Sequence, residues 1–334
     1  MASLIDTLPG LRMPVADVTA FLSRMWHQDP EQRNAEHSAF RASQMNLVLH
    51  FGLATSEEEA RERFDTAIEF AQRYPCRIIV LCPEREARGE DLLEGKLFTQ
   101  CYIGQSLRSM CCCEALMLSY PPNEDGFLEN QVSIWLESDL PTYHWFNRVP
   151  LDRISEQYLD FVRLARRVLY DSSVEPEGFA DLDWPHPRRV YDLARARLLP
   201  VLQSVGQFLS SYRPAVLVED LEAVTVRHPG EKRGEGRNLL EWVKGGITGC
   251  CEQSGAQSAD DIAFRCENWD QEDEGLHIRM EWSYAGDRKQ FSWDLEDKTR
   301  MACIRADFGQ GVIEHPQKVK KMPRAQALSE ALFF

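Results

Sequence analysis

The chain has 334 residues, 43% hydrophobic and 27% charged, which excludes a disordered polymer and leaves room for two domains at roughly 150 residues each. Its 38 Lys and Arg against 53 Asp and Glu give a formal net charge of −15, which repels phosphate backbones and anionic lipid and argues against a nucleic-acid or membrane-surface binder. The opening MASLIDTLPGLRMPV lacks a signal-like apolar stretch, and no segment approaches the roughly 18 apolar residues of a membrane span. A cytoplasmic protein is expected.

In residues 14–26, Val15, Val18, Phe21, Leu22 and Met25 recur at spacings of three and four, which predicts an amphipathic helix packed on the domain that follows. Residues 46–53 (NLVLHFGL) form a short apolar run, after which Thr55 and Glu58 make the S/T-x-x-E capping box that opens a helix. That helix carries Ala60, Phe64, Ala67, Ile68 and Ala71 on one face and must stop by Pro75. Residues 76–82 (CRIIVLC) then read as a strand buried on both sides, so the unit is strand, helix, parallel strand.

Two further strands are expected over 96–103 and 109–119, ended by Pro121-Pro122-Asn123. A helix over 127–136, the loop Glu137-Ser138-Asp139-Leu140-Pro141, an aromatic strand over 142–146, a helix over 151–165 and a strand over 167–170 follow. The alternation fits a doubly wound domain. The longest helical pattern spans 190–209, with Leu198, Val201, Leu202, Val205, Phe208 and Leu209 in one stripe and Pro200 kinking it or marking its start.

Beyond Pro214, residues 215–226, 263–266, 275–284, 289–295 and 301–308 alternate apolar and polar side chains, as in an antiparallel sheet with one wet face. A helix over 238–243, running into Gly245-Gly246, would cover the dry face. The tail from Glu314, with Lys318, Lys320, Lys321 and Arg324, reads as a solvated basic end, with a docking peptide for an acidic partner as the sharper alternative. The fold class is therefore α/β: an open, mostly parallel sheet flanked by helices over 1–212, followed by a smaller α+β domain with an antiparallel sheet over 213–334.

The ten cysteines lie mostly in apolar runs with no C-x-x-C, and adjacent Cys111, Cys112 and Cys113 would point to alternate faces of a strand. Buried reduced thiols are expected, with a redox-responsive pair as the alternative. The eight histidines include no i, i+4 pair and read as structural or exposed. Where a dinucleotide enzyme would carry G-x-G-x-x-G the chain reads Phe51-Gly52-Leu53-Ala54-Thr55-Ser56, and no Walker loop, H-E-x-x-H or G-x-S-x-G occurs. Residues 229–237 (PGEKRGEGR) read as a mobile hairpin loop, with a phosphate nest as the sharper alternative. No nucleophile, base and orienting group come together, so no catalytic residue, cofactor or metal is expected.

The less usual residues gather at the ends of elements: Asp139-Leu140-Pro141 before His144-Trp145, Asp171-Ser172 after a strand, and Asp181-Leu182-Asp183-Trp184 leading to Arg188-Arg189. Local capping and packing account for them as well as a site does. Their order is nevertheless familiar. Together with Met45-Asn46-Leu47-Val48, Pro75-Cys76-Arg77-Ile78-Ile79-Val80 and the later Leu239-Leu240-Glu241-Trp242, they resemble the glucose-6-phosphate dehydrogenase assembly protein family, OpcA, over about residues 40–310.

The resemblance implies a non-catalytic protein that associates with glucose-6-phosphate dehydrogenase and favours its active oligomer, in some members with redox dependence, in support of the oxidative pentose phosphate pathway. The chain departs from the family in its triple cysteine, in Pro185-His186-Pro187 and in lacking a cysteine that matches a redox position. The candidate partner-binding residues are Asp139, Trp145, Asp171, Asp183, Trp184, Arg188 and Arg189. A sugar-phosphate-binding enzyme or sensor is the alternative, with Arg188, Arg189 or Lys232-Arg233 on the phosphate and an Asp as base. The oligomeric state is left open.

Overall fold

A computed structural model describes residues 3–27, 43–84, 93–102, 111–121, 125–269, 276–286, 288–296, 301–319 and 322–334. The chain divides into two compact units, one of Met1–Asp192 with Arg324–Phe334 and the other of Leu193–Pro323.

In the first unit, α1 (Leu4–Thr7), β1 (Leu11–Met13) and α2 (Val15–His27) precede β2 (Met45–Phe51), the opening strand of the parallel sheet. Every residue of β2 and of β3 (Cys76–Pro83) is buried, as their uninterrupted apolar character demands of strands covered on both faces. Between them runs α3 (Glu57–Arg73), which buries Ala60, Phe64, Ala67, Ile68 and Ala71. Next come β4 (Glu94–Tyr102), β5 (Cys111–Tyr120), α4 (Leu128–Trp135), β6 (Thr142–Asn147), α5 (Leu151–Arg153) with a π turn over Ile154–Tyr158, β7 (Arg167–Tyr170) and β8 (Val190–Asp192).

The spatial order is β1-β4-β5-β3-β2-β6-β7-β8. The six strands from β5 to β8 are parallel, while β4 pairs antiparallel with the β5 edge and β1 antiparallel with β4. Numbered by themselves along the chain, the parallel strands stand 3-2-1-4-5-6, the order of the Rossmann dinucleotide-binding fold. Between β3 and β5, where that fold carries a helix, this chain places β4.

The second unit contains α6 (Leu193–Arg197), α7 (Leu199–Leu209), α8 (Pro214–Val218), β9 (Leu221–His228), α9 (Arg233–Ser254), β10 (Ala263–Asn268), β11 (Leu276–Tyr284), β12 (Lys289–Glu296), β13 (Met301–Phe308) and β14 (Ile313–Lys318). Its sheet runs β10-β9-β11-β12-β13-β14, antiparallel except for the parallel β9·β10 pair. The dry face, with Val224, Met280, Trp282, Phe291, Trp293 and Ile304, joins Val205 of α7 and Leu239, Val243 and Ile247 of α9 in one core. Ion pairs line the wet strands: Arg227 with Glu267 at 3.0 Å, and Arg305 with Glu314. The chain closes with α10 (Arg324–Phe333), which returns to the first unit and packs on α3, where Phe333 meets Tyr74 with ring centroids 4.9 Å apart.

Several expectations need revision. The division falls after Asp192, not after 212, and the C-terminal segment holds β14 and a first-unit helix where a solvated tail was read; Lys320 and Lys321 lie outside the described residues, as do Pro122 and Asn123. The helical pattern over 190–209 breaks into β8, α6 and α7, with Pro200 in the first turn of α7, where its missing N–H is tolerated. The start of the 215–226 strand is the short helix α8.

Residues 229–237 are no hairpin loop: a 3-10 turn over Gly230–Lys232 runs directly into α9. That helix passes through Gly245-Gly246 to end at Gly255, whose φ of 63° closes it in the left-handed region. Gly236 is required there, because a Cβ would stand 2.3 Å from the His228 ring.

Candidate functional site

In an open sheet of this order, ligands bind at the carboxyl ends of the two strands where the winding reverses, here β2 and β6. The helix that follows the first strand would present free N–H groups to a pyrophosphate. In this chain both features are occupied by the protein itself.

Gly52, immediately after β2, donates its N–H to the Asn147 carbonyl at 2.8 Å, and a Cβ on it would lie 1.7 Å from the Arg148 carbonyl oxygen. The one glycine of the loop thus serves a backbone-to-backbone approach. Thr55 completes the seal: its N–H reaches Gly52 O at 3.0 Å, its hydroxyl donates to Asn147 O at 3.2 Å, and it accepts from Asn147 Nδ2 at 3.1 Å.

The helix end is closed by its own capping box, which is Ser56 with Glu59 and not the expected Thr55 with Glu58. Ser56 Oγ accepts from Glu59 N at 3.1 Å, and Glu59 Oε2 accepts from Ser56 N at 3.0 Å. Thr55 is withdrawn from capping by its bonds to Asn147.

The same Glu59 carboxylate takes a forked pair of bonds from Arg148, at 2.8 Å from Nε and 2.6 Å from Nη2. Hydrogen bonds from Arg148 and from Ser56 N hold the Glu59 carboxyl below its ordinary value against the opposing effect of burial. Glu57, Glu58 and Glu59 all stand in the first turn of α3, where they complement the helix dipole and repel an incoming phosphate.

Arg148 itself has φ +57°, uncommon for a side chain of its size. Its N–H donates to Glu175 Oε1 at 2.7 Å. Burial pushes the Glu175 carboxyl up to about 7; the bond from Arg148 N opposes this and nearby Asp171 adds to it. Arg63, buried in α3, donates to Asn147 Oδ1 at 3.1 Å and lies over the Trp145 ring. These residues lock the reversal point with internal partners.

The seven sequence-derived candidates do not form one patch. Trp145 and Trp184 are 2% and 4% exposed and belong to the core, so neither offers its side chain to a partner: Trp145 sits mid-strand in β6, and Trp184 donates Nε1–H to Phe179 O at 2.8 Å. Asp171 is buried at the end of β7, where its carboxylate accepts Ser173 N at 3.0 Å. Ser172 N donates to Asp192 at 3.0 Å, so Asp171-Ser172 ties the ends of β7 and β8 together.

Asp139, Asp183 and Arg188 are exposed, and half-buried Arg189 anchors its guanidinium on Ala165 O at 3.1 Å. Asp139 precedes β6 and Arg188-Arg189 precede β8, so these sit at the strand starts, opposite the end where ligands gather. β6 and β8 flank β7, so the two positions stand about two strand spacings apart, roughly 10 Å. Asn46 holds the Asp139 loop, its Nδ2 donating to Glu137 O at 3.0 Å and its Oδ1 accepting Glu137 N at 3.0 Å.

Sequence reasoning missed Glu59, Arg148 and Glu175, which meet from three separate elements; a lone Gly52 at the dinucleotide position was the available signal. In the segment read as a possible phosphate nest, Lys232 lies 3.9 Å from Glu235, and Glu235 also pairs with Arg197 at 2.9 Å. Cys76, Cys82, Cys113 and Cys251 are buried free thiols, as expected. Cys101 is not: it is disulfide-bonded, and it stands opposite Cys112 in the β4·β5 ladder. Among the described residues no group of three or more His, Cys, Asp and Glu could hold a metal, and no helix is long and apolar enough to cross a membrane.

Residues 67–183 match the family model described as glucose-6-phosphate dehydrogenase subunit N-terminal domain. A curated relative, the putative OxPP cycle protein OpcA of Synechocystis sp., is 23% identical over 269 residues, covering 72% of this chain and 52% of the relative. The chain thus spans about half the length of that relative. Among solved structures, the 3-ketoreductase KijD10 of Actinomadura kijaniata has a TM-score of 0.44 at 9% identity, covering 86% of this chain and 89% of its own. A glucose-6-phosphate 1-dehydrogenase from Mycobacterium avium has a TM-score of 0.45 at 10% identity, covering 86% of each chain.

Proposed function

We propose, from a chain that belongs with the OpcA family through residues 67–183, that this protein is a non-catalytic assembly factor for glucose-6-phosphate dehydrogenase. It acts in the cytoplasm and supports the oxidative pentose phosphate pathway. The observation that carries this reading is the filled reversal point. A sheet wound in the dinucleotide-binding order has its cofactor crevice taken up by Gly52 against Arg148, and its helix N-terminus by the Ser56–Glu59 box. A chain that retains the scaffold and closes the site is suited to binding another protein. Raising the activity of that protein requires only a higher affinity for its active oligomer than for its inactive form.

On this reading the exposed Asp139, Asp183 and Arg188, with partly exposed Arg189, are the candidate contacts. Buried Trp145, Trp184 and Asp171 serve the packing of the first unit. The test is steady-state kinetics and sedimentation of the cognate dehydrogenase with and without this protein, repeated with Asp139→Ala and Arg188→Ala, alongside titration of the isolated protein with NADP+. The expected result is a shift in dehydrogenase rate or oligomer size that the variants weaken, with no saturable NADP+ binding. An unchanged dehydrogenase, or turnover of sugar phosphate by this protein alone, rejects the proposal.

A further inference from the structure

Where β7 and β8 begin, the first unit gathers positive charge that its own carboxylates leave unanswered. The β7·β8 ladder pairs Val168 with Val190, so Arg166 and Arg188, each two residues upstream, enter the sheet on chains one strand spacing apart, roughly 5 Å. Both are exposed, and among the described residues neither has a carboxylate within ion-pair reach. Arg189 beside them places its guanidinium on the neutral carbonyl of Ala165, while Arg163 pairs with Asp160. The chain holds 53 acidic residues against 38 Lys and Arg, yet here three guanidinium charges stand together and repel one another with no counter-charge.

Leu164 belongs to the same segment. At 91% it is the most exposed large hydrophobic side chain among the described residues, and it adjoins the Ala165 whose carbonyl holds Arg189. The backbone around it is fixed: Arg166 N–H donates to Thr142 O at 2.7 Å, Arg189 N–H to His186 O at 2.9 Å, and the Arg189 guanidinium ties the two segments together at 3.1 Å. A surface ordered before contact loses little freedom on binding.

Guanidinium forks match carboxylates in paired geometry, and arginine is prominent among the residues that carry interface energy. The apolar side chain beside them calls for an apolar counterpart, which a free phosphate does not bring. A nucleic acid or an anionic membrane would meet the field of a chain with net charge −15 and be repelled. A short acidic stretch on a protein surface meets the arginines alone.

We propose that Leu164, Arg166, Arg188 and Arg189 form a docking surface for an acidic segment of a partner protein, one that sets clustered carboxylates around an apolar side chain. On the assembly-factor reading, from which the partner's identity is taken, that segment belongs to the dehydrogenase.

The test measures association of the full chain with the cognate dehydrogenase by surface plasmon resonance between ~50 and ~300 mM chloride. The parent is expected to associate more slowly as salt rises. Arg166→Glu/Arg188→Glu should lower the association rate about tenfold or more and flatten its salt dependence, whereas Leu164→Ser should raise the dissociation rate about three- to tenfold and leave the salt dependence as it was. Arg265→Glu/Arg288→Glu makes the same change in net charge at exposed positions of the second unit and should keep the association rate within about threefold of the parent's. Every substituted side chain is exposed, and thermal melts matching the parent's establish that the variants are folded.

A parent that does not bind the dehydrogenase rejects the assembly reading and this partner with it. A parent that binds, with Arg166→Glu/Arg188→Glu binding as fast or the second-unit control slowed as much, overturns the docking surface and leaves the assembly reading standing. Inorganic phosphate that blocks binding beyond chloride of equal ionic strength, or a duplex oligonucleotide bound by the parent and not by Arg166→Glu/Arg188→Glu, assigns the arginines to phosphate and overturns the proposal as well.

Discussion

His50 and His144, on adjacent strands β2 and β6, face each other with Nε2 and Nδ1 2.9 Å apart, both fully inside the first unit. Phe146 stacks on His50, and Tyr158 and Phe161 meet it edge-on. One neutral ring can donate to the other, but two imidazolium rings would set donor against donor. Burial, and for His50 also the neighbouring His144, holds His50 well below the ordinary 6.5, and burial lowers His144 to about 3.

For a group with a depressed folded-state value, the unfolded chain binds the proton first, so stability is intact above 6.5 and falls as the pH drops from there toward 3. His144 then contributes about 1.4 kcal/mol per pH unit, and His50 acts in the same direction. Glu175 works in the opposite direction. Its folded value of about 7 stands above the ordinary 4.5, so its contribution is present below 4.5 and lost as the pH rises to 7. Between pH 6.5 and 4.5 His144 and Glu175 therefore offset one another, and His50 leaves a net loss on acidification.

The double variant His50→Leu/His144→Leu removes both titrating groups, so neither partner is left buried alone. Its stability should fall less steeply with acid than the parent's, by about 1.4 kcal/mol per unit or more. Urea unfolding at several pH values, with hydrogen exchange read on peptides from β2 and β6, measures this in the first unit apart from the second. If parent and variant lose stability in parallel over this window, the buried neutral pair is not the source of the acid sensitivity.

Gly52→Ala should destabilise the first unit by about 3 kcal/mol or more, because the new methyl overlaps the Arg148 carbonyl; a urea midpoint close to the parent's would refute the packing described. Glu59→Ala removes a cap and a forked ion pair together and should cost about 1–3 kcal/mol, most of which Glu59→Gln restores by keeping the cap; thermal melts of the two variants make the comparison. Arg188→Ala, exposed and free of core packing, should leave stability within about 0.5 kcal/mol of the parent while weakening any effect on the dehydrogenase. Peptide mapping without reductant should recover Cys101 cross-linked and Cys76, Cys82 and Cys113 as free thiols that a water-soluble alkylating agent modifies only after unfolding.

The parallel strands were legible because burial on both faces writes itself as an uninterrupted apolar run, as in Leu47–Leu49 and Ile78–Leu81. α9 was misread at Gly245-Gly246, since two glycines look like punctuation. The buried stripe Leu239, Val243, Ile247 and Cys251 continues across them at helical spacing, and packing outweighs the local preference for a break. Trp145 and Trp184 were candidate contacts from their place in the family-like motifs and from residue type; which face of a strand or turn a tryptophan takes is settled by its neighbours. The Glu59–Arg148–Glu175 arrangement had no local signature, because its members come from three segments that meet only when the sheet is wound.

The second unit is spliced into the first between β8 and α10, and this governs how the chain can be taken apart. A cut after Asp192 would remove the helix whose Phe333 lies against Tyr74, whose Ala331 carbonyl accepts Arg167 at 2.7 Å and whose Arg324 pairs with Glu62 at 2.8 Å. The sheet would lose its cover on that flank. A faithful minimal fragment must instead excise Leu193–Pro323 and rejoin the flanking ends through a linker, so that the last helix still reaches its seat.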